Sequence, residues 1–161
     1  MGLAIKALKP IKFLGTEEPE NEDWIHIFTN DYSPIKHLTQ FKEGYWICEV
    51  YGDGRYSSPY ASFMDLREII CFVIYGEDFD TVTDKIESGA IPADSPFAEM
   101  LNFADNEGSF DWPVAKKLCK DFEQNIEKIK SVLIGSDLRN LDNYIHVLSD
   151  AVKCQGVVYY Y

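Results

Sequence analysis

The chain closes on Val157-Val158-Tyr159-Tyr160-Tyr161, a β-branched and aromatic run that follows directly on a helical pattern. A strand in that position cannot stand alone, because its backbone N–H and C=O groups need a ladder partner. The segments before it read as helices back to about Ser62, so the simplest partners are strands near the N-terminus. That pairing folds the two ends of the chain together. It predicts an α+β single domain over residues 1–161, with a small antiparallel or mixed sheet of N-terminal strands plus the C-terminal strand, and four to five helices.

The N-terminal strands are read at Ile11–Leu14, Trp24–Thr29 and Tyr45–Tyr51. Asn30-Asp31-Tyr32-Ser33-Pro34 reads as a turn, and Gly52-Asp53-Gly54 as a sharp turn that ends the third strand or closes a hairpin. Ser62 and Asp65 form a capping-box pattern ahead of Phe63, Leu66, Ile70 and Val73, which repeat at helical spacing up to Gly76. Phe79, Val82 and Ile86 mark a shorter helix that stops at Gly89, and Ser95-Pro96 opens another through Phe97 and Leu101. Asp111 is placed to cap a long helix whose apolar stripe runs from Ala115 to Leu133, and Gly156 to cap the last one, which carries Leu138, Leu141, Ile145, Leu148 and Val152.

A chain of 161 residues with 46% hydrophobic and 14% aromatic residues has ample material for one core. Cys48, Cys71, Cys119 and Cys154 are widely spaced, without a Cys-x-x-Cys pair, which suits reduced thiols better than a disulfide framework or a zinc site. No long apolar run precedes Lys6 and Lys9, which argues against a signal peptide, and Lys6 stands where a myristoylation signal wants Ser or Thr. The longest apolar run, Ile69–Tyr75, is too short to span a bilayer. A cytoplasmic protein without a membrane partner is the expectation.

The net charge is −12, and it is unevenly spread. Ten acids and one base, Lys85, lie between Glu77 and Asp111, a charge of −9 over 35 residues. A second acidic knot spans Glu17 to Asp23. Such a field favours basic partners or cations and repels nucleic acid, so no direct nucleic-acid partner is expected. Asp80, Asp84, Glu87, Asp105 and Glu107 are the candidate partner-binding residues.

Two segments concentrate further chemistry. Asp105-Asn106-Glu107-Gly108-Ser109-Phe110-Asp111 sets three carboxylates, an amide and a glycine between two helical patterns. With Gly108 at position 6 of an EF-hand loop, positions 1 and 12 fall on Phe103 and Val114, which cannot bind a cation, so the turn reads as a structural joint. Arg55, Tyr56, Ser57, Tyr60 and Arg67, around the start of the first helix, form a candidate ligand-binding set for an anion or a nucleotide. Against that stands an internal role in which Arg67 pairs with Asp105 or Glu107. The three histidines show no His-x-x-x-His or His-Glu pair, and there is no glycine-rich phosphate loop or nucleophile motif, so no metal, cofactor or catalytic residue is predicted.

Tyr56-Ser57-Ser58-Pro59-Tyr60-Ala61-Ser62-Phe63-Met64-Asp65-Leu66-Arg67 is similar to an opening of the type Ser-Tyr-Ser-Gly-Tyr/Phe-x-x-x-Arg. Leu101-Asn102-Phe103-Ala104-Asp105-Asn106-Glu107-Gly108, followed by Lys117-Leu118, resembles a Phe-Ser-Asp-Cys-Glu-Gly block ahead of an Ala-x-Leu helix. Both patterns occur in this order in a loose set of small bacterial and phage-encoded proteins. The resemblance covers about residues 54–122, and departs from the pattern at Ser58-Pro59, where glycine is usual, and at Asn106, where cysteine is usual. It implies no activity. It does imply that Arg67 and the Asp105–Gly108 turn belong to one shared structural or binding feature.

Three functions compete on these observations. The foremost is a non-enzymatic protein whose acidic face engages a basic surface, as a phage-encoded inhibitor or an immunity-type partner of a toxin does. The second is a small-ligand binder using Arg55, Tyr56, Tyr60 and Arg67. The third is an enzyme whose site is assembled in space around Asp105 and Glu107.

Overall fold

The computed structural model describes residues 2–20, 23–29, 34–103 and 106–161. Its strands are β1 (Gly2–Gly15), β2 (Ile25–Ile27), β3 (Gly44–Pro59), β4 (Gly108–Asp111) and β5 (Val157–Tyr160). The helices are α1 (Tyr60–Tyr75), α2 (Phe79–Glu87), α3 (Ala98–Leu101), α4 (Trp112–Lys130) and α5 (Ser136–Cys154). The strands form one five-stranded sheet in the order β2-β3-β1-β5-β4, with every pair antiparallel. The fold is α+β, and the C-terminal strand pairs with the first, Ile5 opposite Tyr160 and Leu8 opposite Val157.

Leu3, Ile5 and Ala7 alternate into the main core, which fills the space between the sheet and the helices. On β5, Val158 and Tyr160 face the same core, where the Tyr160 hydroxyl meets that of Tyr144 on α5 at 2.7 Å. Val157 alternates to the opposite face and joins Leu8, Ile27 and Leu38 in a smaller cluster. Leu8, directly after Ala7, reaches that face by the same alternation.

Several local expectations are corrected. The first strand begins at Gly2 rather than Ile11, and Gly52-Asp53-Gly54 does not end β3. Lys6 stands opposite Arg55 and Leu8 opposite Val50, so residues 51–54 bulge out against Ala7 alone. The strand then continues to Pro59, and α1 starts at Tyr60 without a side-chain cap, leaving Ser62 and Asp65 inside the helix. Phe97, in a left-handed conformation at φ 62°, takes the N-cap position of α3 that Ser95 was expected to hold.

Residues 108–111 form a buried edge strand rather than a joint between helices. Asp111 holds the N-cap position of α4 but makes no capping bond there. Its buried carboxylate instead accepts the N–H groups of Thr39 and Gln40, both at 2.6 Å, and pins the 39–40 segment to β4. The left-handed residue closing α5 is Gln155 (φ 49°), not Gly156. Gly156 is needed for a different reason, since a Cβ there would overlap the carbonyl oxygen of Leu8.

All four cysteines are free, with Cys71 buried and the others half-buried. Burial pushes the thiols of Cys48 and Cys71 up to about 12 and that of Cys119 up to about 11. They therefore carry little thiolate at neutral pH. Among the described residues, no helix is long and apolar enough to cross a membrane.

Candidate functional site

The outward face of α1 and its neighbours combines exposed apolar side chains with carboxylates. Phe72, on α1, is 69% exposed, an unusual position for a phenylalanine on an otherwise well-packed helix. It stands between two concavities. One, of about 700 Å³, is lined by Met64, Glu68, Phe72, Glu77, Asp78, Phe79 and Asp80. The other, of about 480 Å³, is lined by Asp65, Glu68, Ile69, Phe72, Val132 and Asp137. Glu68 and Phe72, one helical turn apart, line both. Six carboxylates thus surround an aromatic centre, with Val132 (47% exposed) and Ile134 (80% exposed) at the turn between α4 and α5.

Local sequence explains the geometry of this face. Leu66, Ile70 and Cys71 turn into the core, which sends Asp65, Glu68 and Phe72 outward. Gly76 ends α1 in the left-handed region (φ 70°). Asp78 then caps α2, accepting the Thr81 N–H at 2.9 Å and the Thr81 hydroxyl at 2.8 Å, and these bonds lower its pKa. Beyond it, Asp80, Asp84 and Glu87 lie at i, i+4 and i+7 on the exposed side of α2. Lys85 is drawn off to Glu77. Of the five candidate partner-binding residues, Asp80, Asp84 and Glu87 therefore share one stripe beside the concavity. Glu107 is exposed at the start of β4, and Asp105 lies outside the described residues.

The candidate ligand-binding set is not brought together. Along β3, Arg55 and Ser57 face outward while Tyr56 turns into the core, where burial pushes its hydroxyl up to about 12. Tyr60 is half-buried at the start of α1. Arg67 is 4% exposed, with its guanidinium over the Phe79 ring at 4.5 Å and close to that of Phe63. Its Nη2 donates to the carbonyl oxygens of Leu101, at 2.6 Å, and Phe103, at 3.0 Å. Arg67 is thus bonded to the backbone that leads into the Asp105–Gly108 turn. A pairing with Asp105 itself falls outside the described residues.

Two further polar groups are buried under the helices. Lys117 binds Glu99 at 2.7 Å and Asp121 at 2.9 Å, and Asp121 also accepts the Phe97 N–H at 2.9 Å. Burial raises the pKa of Glu99, against the opposing pull of Lys117. These groups clamp the strained Phe97 turn to α4 and line neither concavity.

His37, in the loop ahead of β3, is 1% exposed, packs at a tilt against Phe103 and contacts the Glu99 carbonyl through Nε2 at 2.9 Å. Burial lowers its pKa, so the folded chain resists a proton that the unfolded chain accepts near pH 6.5. Its contribution to stability is therefore complete above that pH and falls as the pH drops toward the folded value. One such group contributes at most about 1.4 kcal/mol per pH unit. Urea unfolding at pH 7.5 and 5.5 should show a smaller loss in His37→Gln than in the unmutated protein, and equal losses would exclude this role.

The histidine pattern contains a grouping that was not expected from sequence. His146 and Asp150, four residues apart on α5, converge with Asp53 of the β3 bulge. The His146-x-x-x-Asp150 spacing was legible. The third member, nearly a hundred residues earlier, was not.

No family model, no curated protein and no solved structure matches this chain. The fold and this surface define an α+β protein with an exposed aromatic residue ringed by carboxylates.

Proposed function

We propose that the protein is a non-enzymatic binding protein whose α1–α2 face docks onto a basic protein surface. The single observation that carries this is Phe72, exposed at 69% and set between concavities that six carboxylates line. An aromatic anchor with a charged rim is the usual anatomy of a protein-binding patch, and a predominantly acidic rim selects a partner rich in Lys and Arg. An inhibitor or an immunity-type protein that neutralises a basic target would use such a face.

Two changes separate the anchor from the field. Phe72→Ala should weaken the complex by about 2 kcal/mol, roughly thirtyfold, mainly through faster dissociation. Lysine at Asp80, Asp84 and Glu87 together should slow association by tenfold or more, and so should raised salt. The test is affinity capture of cross-linked partners by the unmutated protein and both variants, followed by binding kinetics on the captured protein. A partner of basic surface, lost from both variants, supports the proposal. Partners that are retained by both variants, or that bind independently of salt, would sink it.

A further inference from the structure

We propose that Asp53, His146 and Asp150 form a binding site for a divalent transition-metal ion of the zinc type, on the junction of the β3 bulge and α5. The ligand set, one imidazole nitrogen and two carboxylate oxygens, suits such an ion and disfavours calcium and magnesium, which want oxygen alone. One ligand atom from each residue lies within 4.8 Å of the other two.

The distances suit an ion held among the three groups. His146 Nε2 lies 3.2 Å from Asp53 Oδ1 and 3.5 Å from Asp150 Oδ2. A charged N–H···O bond closes to about 2.7–2.9 Å, and Nε2 has a single proton to share between two carboxylates. Ligands about 2.0–2.1 Å from a tetrahedral ion stand roughly 3.3–3.4 Å apart, which is close to the two distances from Nε2.

The site is also built from beneath. Asp150 is 3% exposed, and its Oδ2 accepts the Gly54 N–H at 3.1 Å, which leaves a second lone pair on that oxygen. Lys153 stands at 3.5 Å from the other oxygen, Oδ1. A Cβ on Gly52 would overlap the Asp150 carboxylate, and one on Gly54 would meet it at 2.8 Å. The two glycines thus admit the carboxylate under the bulge while Asp53 between them reaches outward. Such support of a ligand by backbone N–H is what holds a metal-binding carboxylate in place. Asp53 and His146 are exposed, which leaves the fourth coordination position to water.

The test is calorimetric titration of the chelator-treated full chain with zinc chloride, beside thermal melts. One ion per chain with a micromolar dissociation constant is expected. At ~100-fold excess over that constant the melting temperature should rise by about 5–10 °C. Calcium and magnesium at the same excess should not move it. Asp53→Asn and His146→Gln, both at exposed positions, should each weaken zinc at least tenfold while leaving the metal-free melt nearly unchanged. Zinc binding of undiminished affinity in both variants would overturn the proposal, as would the absence of binding at ~1 mM zinc in the unmutated protein.

Discussion

Arg67→Ala is expected to destabilise the fold by roughly 3–5 kcal/mol, because two separate losses coincide. The Leu101 and Phe103 carbonyls would each lose a charged donor inside the structure, where water does not reach them freely. The space under the Phe79 ring would also empty, since the guanidinium packs there at 4.5 Å. Arg67→Met separates the two, filling much of the volume without donating. Urea unfolding should rank the unmutated protein, Arg67→Met and Arg67→Ala in that order of stability. An unchanged midpoint in Arg67→Ala would show that the residue is not what joins α1 to the 101–103 backbone. It would return Arg67 to the role of an anion-binding residue.

Gly156→Ala should cost about 3 kcal/mol, at the upper end for an added methyl group. The overlap would fall on the Leu8 carbonyl, with the Cys154 sulfur 2.8 Å away on another side. A side chain could rotate aside, but backbone held in the β1–β5 ladder cannot, so the strands must separate at the Leu8–Val157 pair. Gly89 provides the control, because a Cβ there meets nothing within 4 Å. Its φ of 80° leaves only the cost of the left-handed conformation, about 1 kcal/mol. Thermal melts of the two variants should differ clearly, and equal losses would mean that the close approach of Gly156 to Leu8 does not constrain the fold.

The elements that local pattern predicted well are those whose patterns are complete within one segment. The stripe from Ala115 to Ile129 belongs to α4, with Leu133 buried just past its end, and Val82 and Ile86 are the buried residues of α2. The terminal strand was legible because β-branched and aromatic residues after a helix have few other uses, and hydrogen-bond need pointed it to the N-terminal strands, though not to the Ile5–Leu8 segment it pairs with. The acidity of α2 was legible too, as three carboxylates at helical spacing cannot all be buried.

Local pattern failed where a residue answers to something distant. Gly52-Asp53-Gly54 has the composition of a turn, yet here its glycines make room for Asp150 on α5 and the strand goes on. Asp111 has the position of a cap, and its carboxylate goes instead to the backbone of Thr39 and Gln40. Gly108–Asp111 has a polar sequence, and is buried because it completes an edge next to β5. The anchoring of Arg67 between aromatic rings and the Leu101 and Phe103 carbonyls likewise has no signal within its own segment.

The sequence by itself therefore determined the class of fold, the order of most elements and the sign of the surface. Those depend on periodicity and composition, which are properties of neighbours along the chain. Only the tertiary structure decided that Phe72 is exposed among carboxylates, and that Asp53 meets His146 and Asp150 from nearly a hundred residues away in the chain. Both depend on how helices seat on the sheet. A helix pattern gives the width of an apolar stripe, but not which residue at its edge the neighbouring elements will leave uncovered.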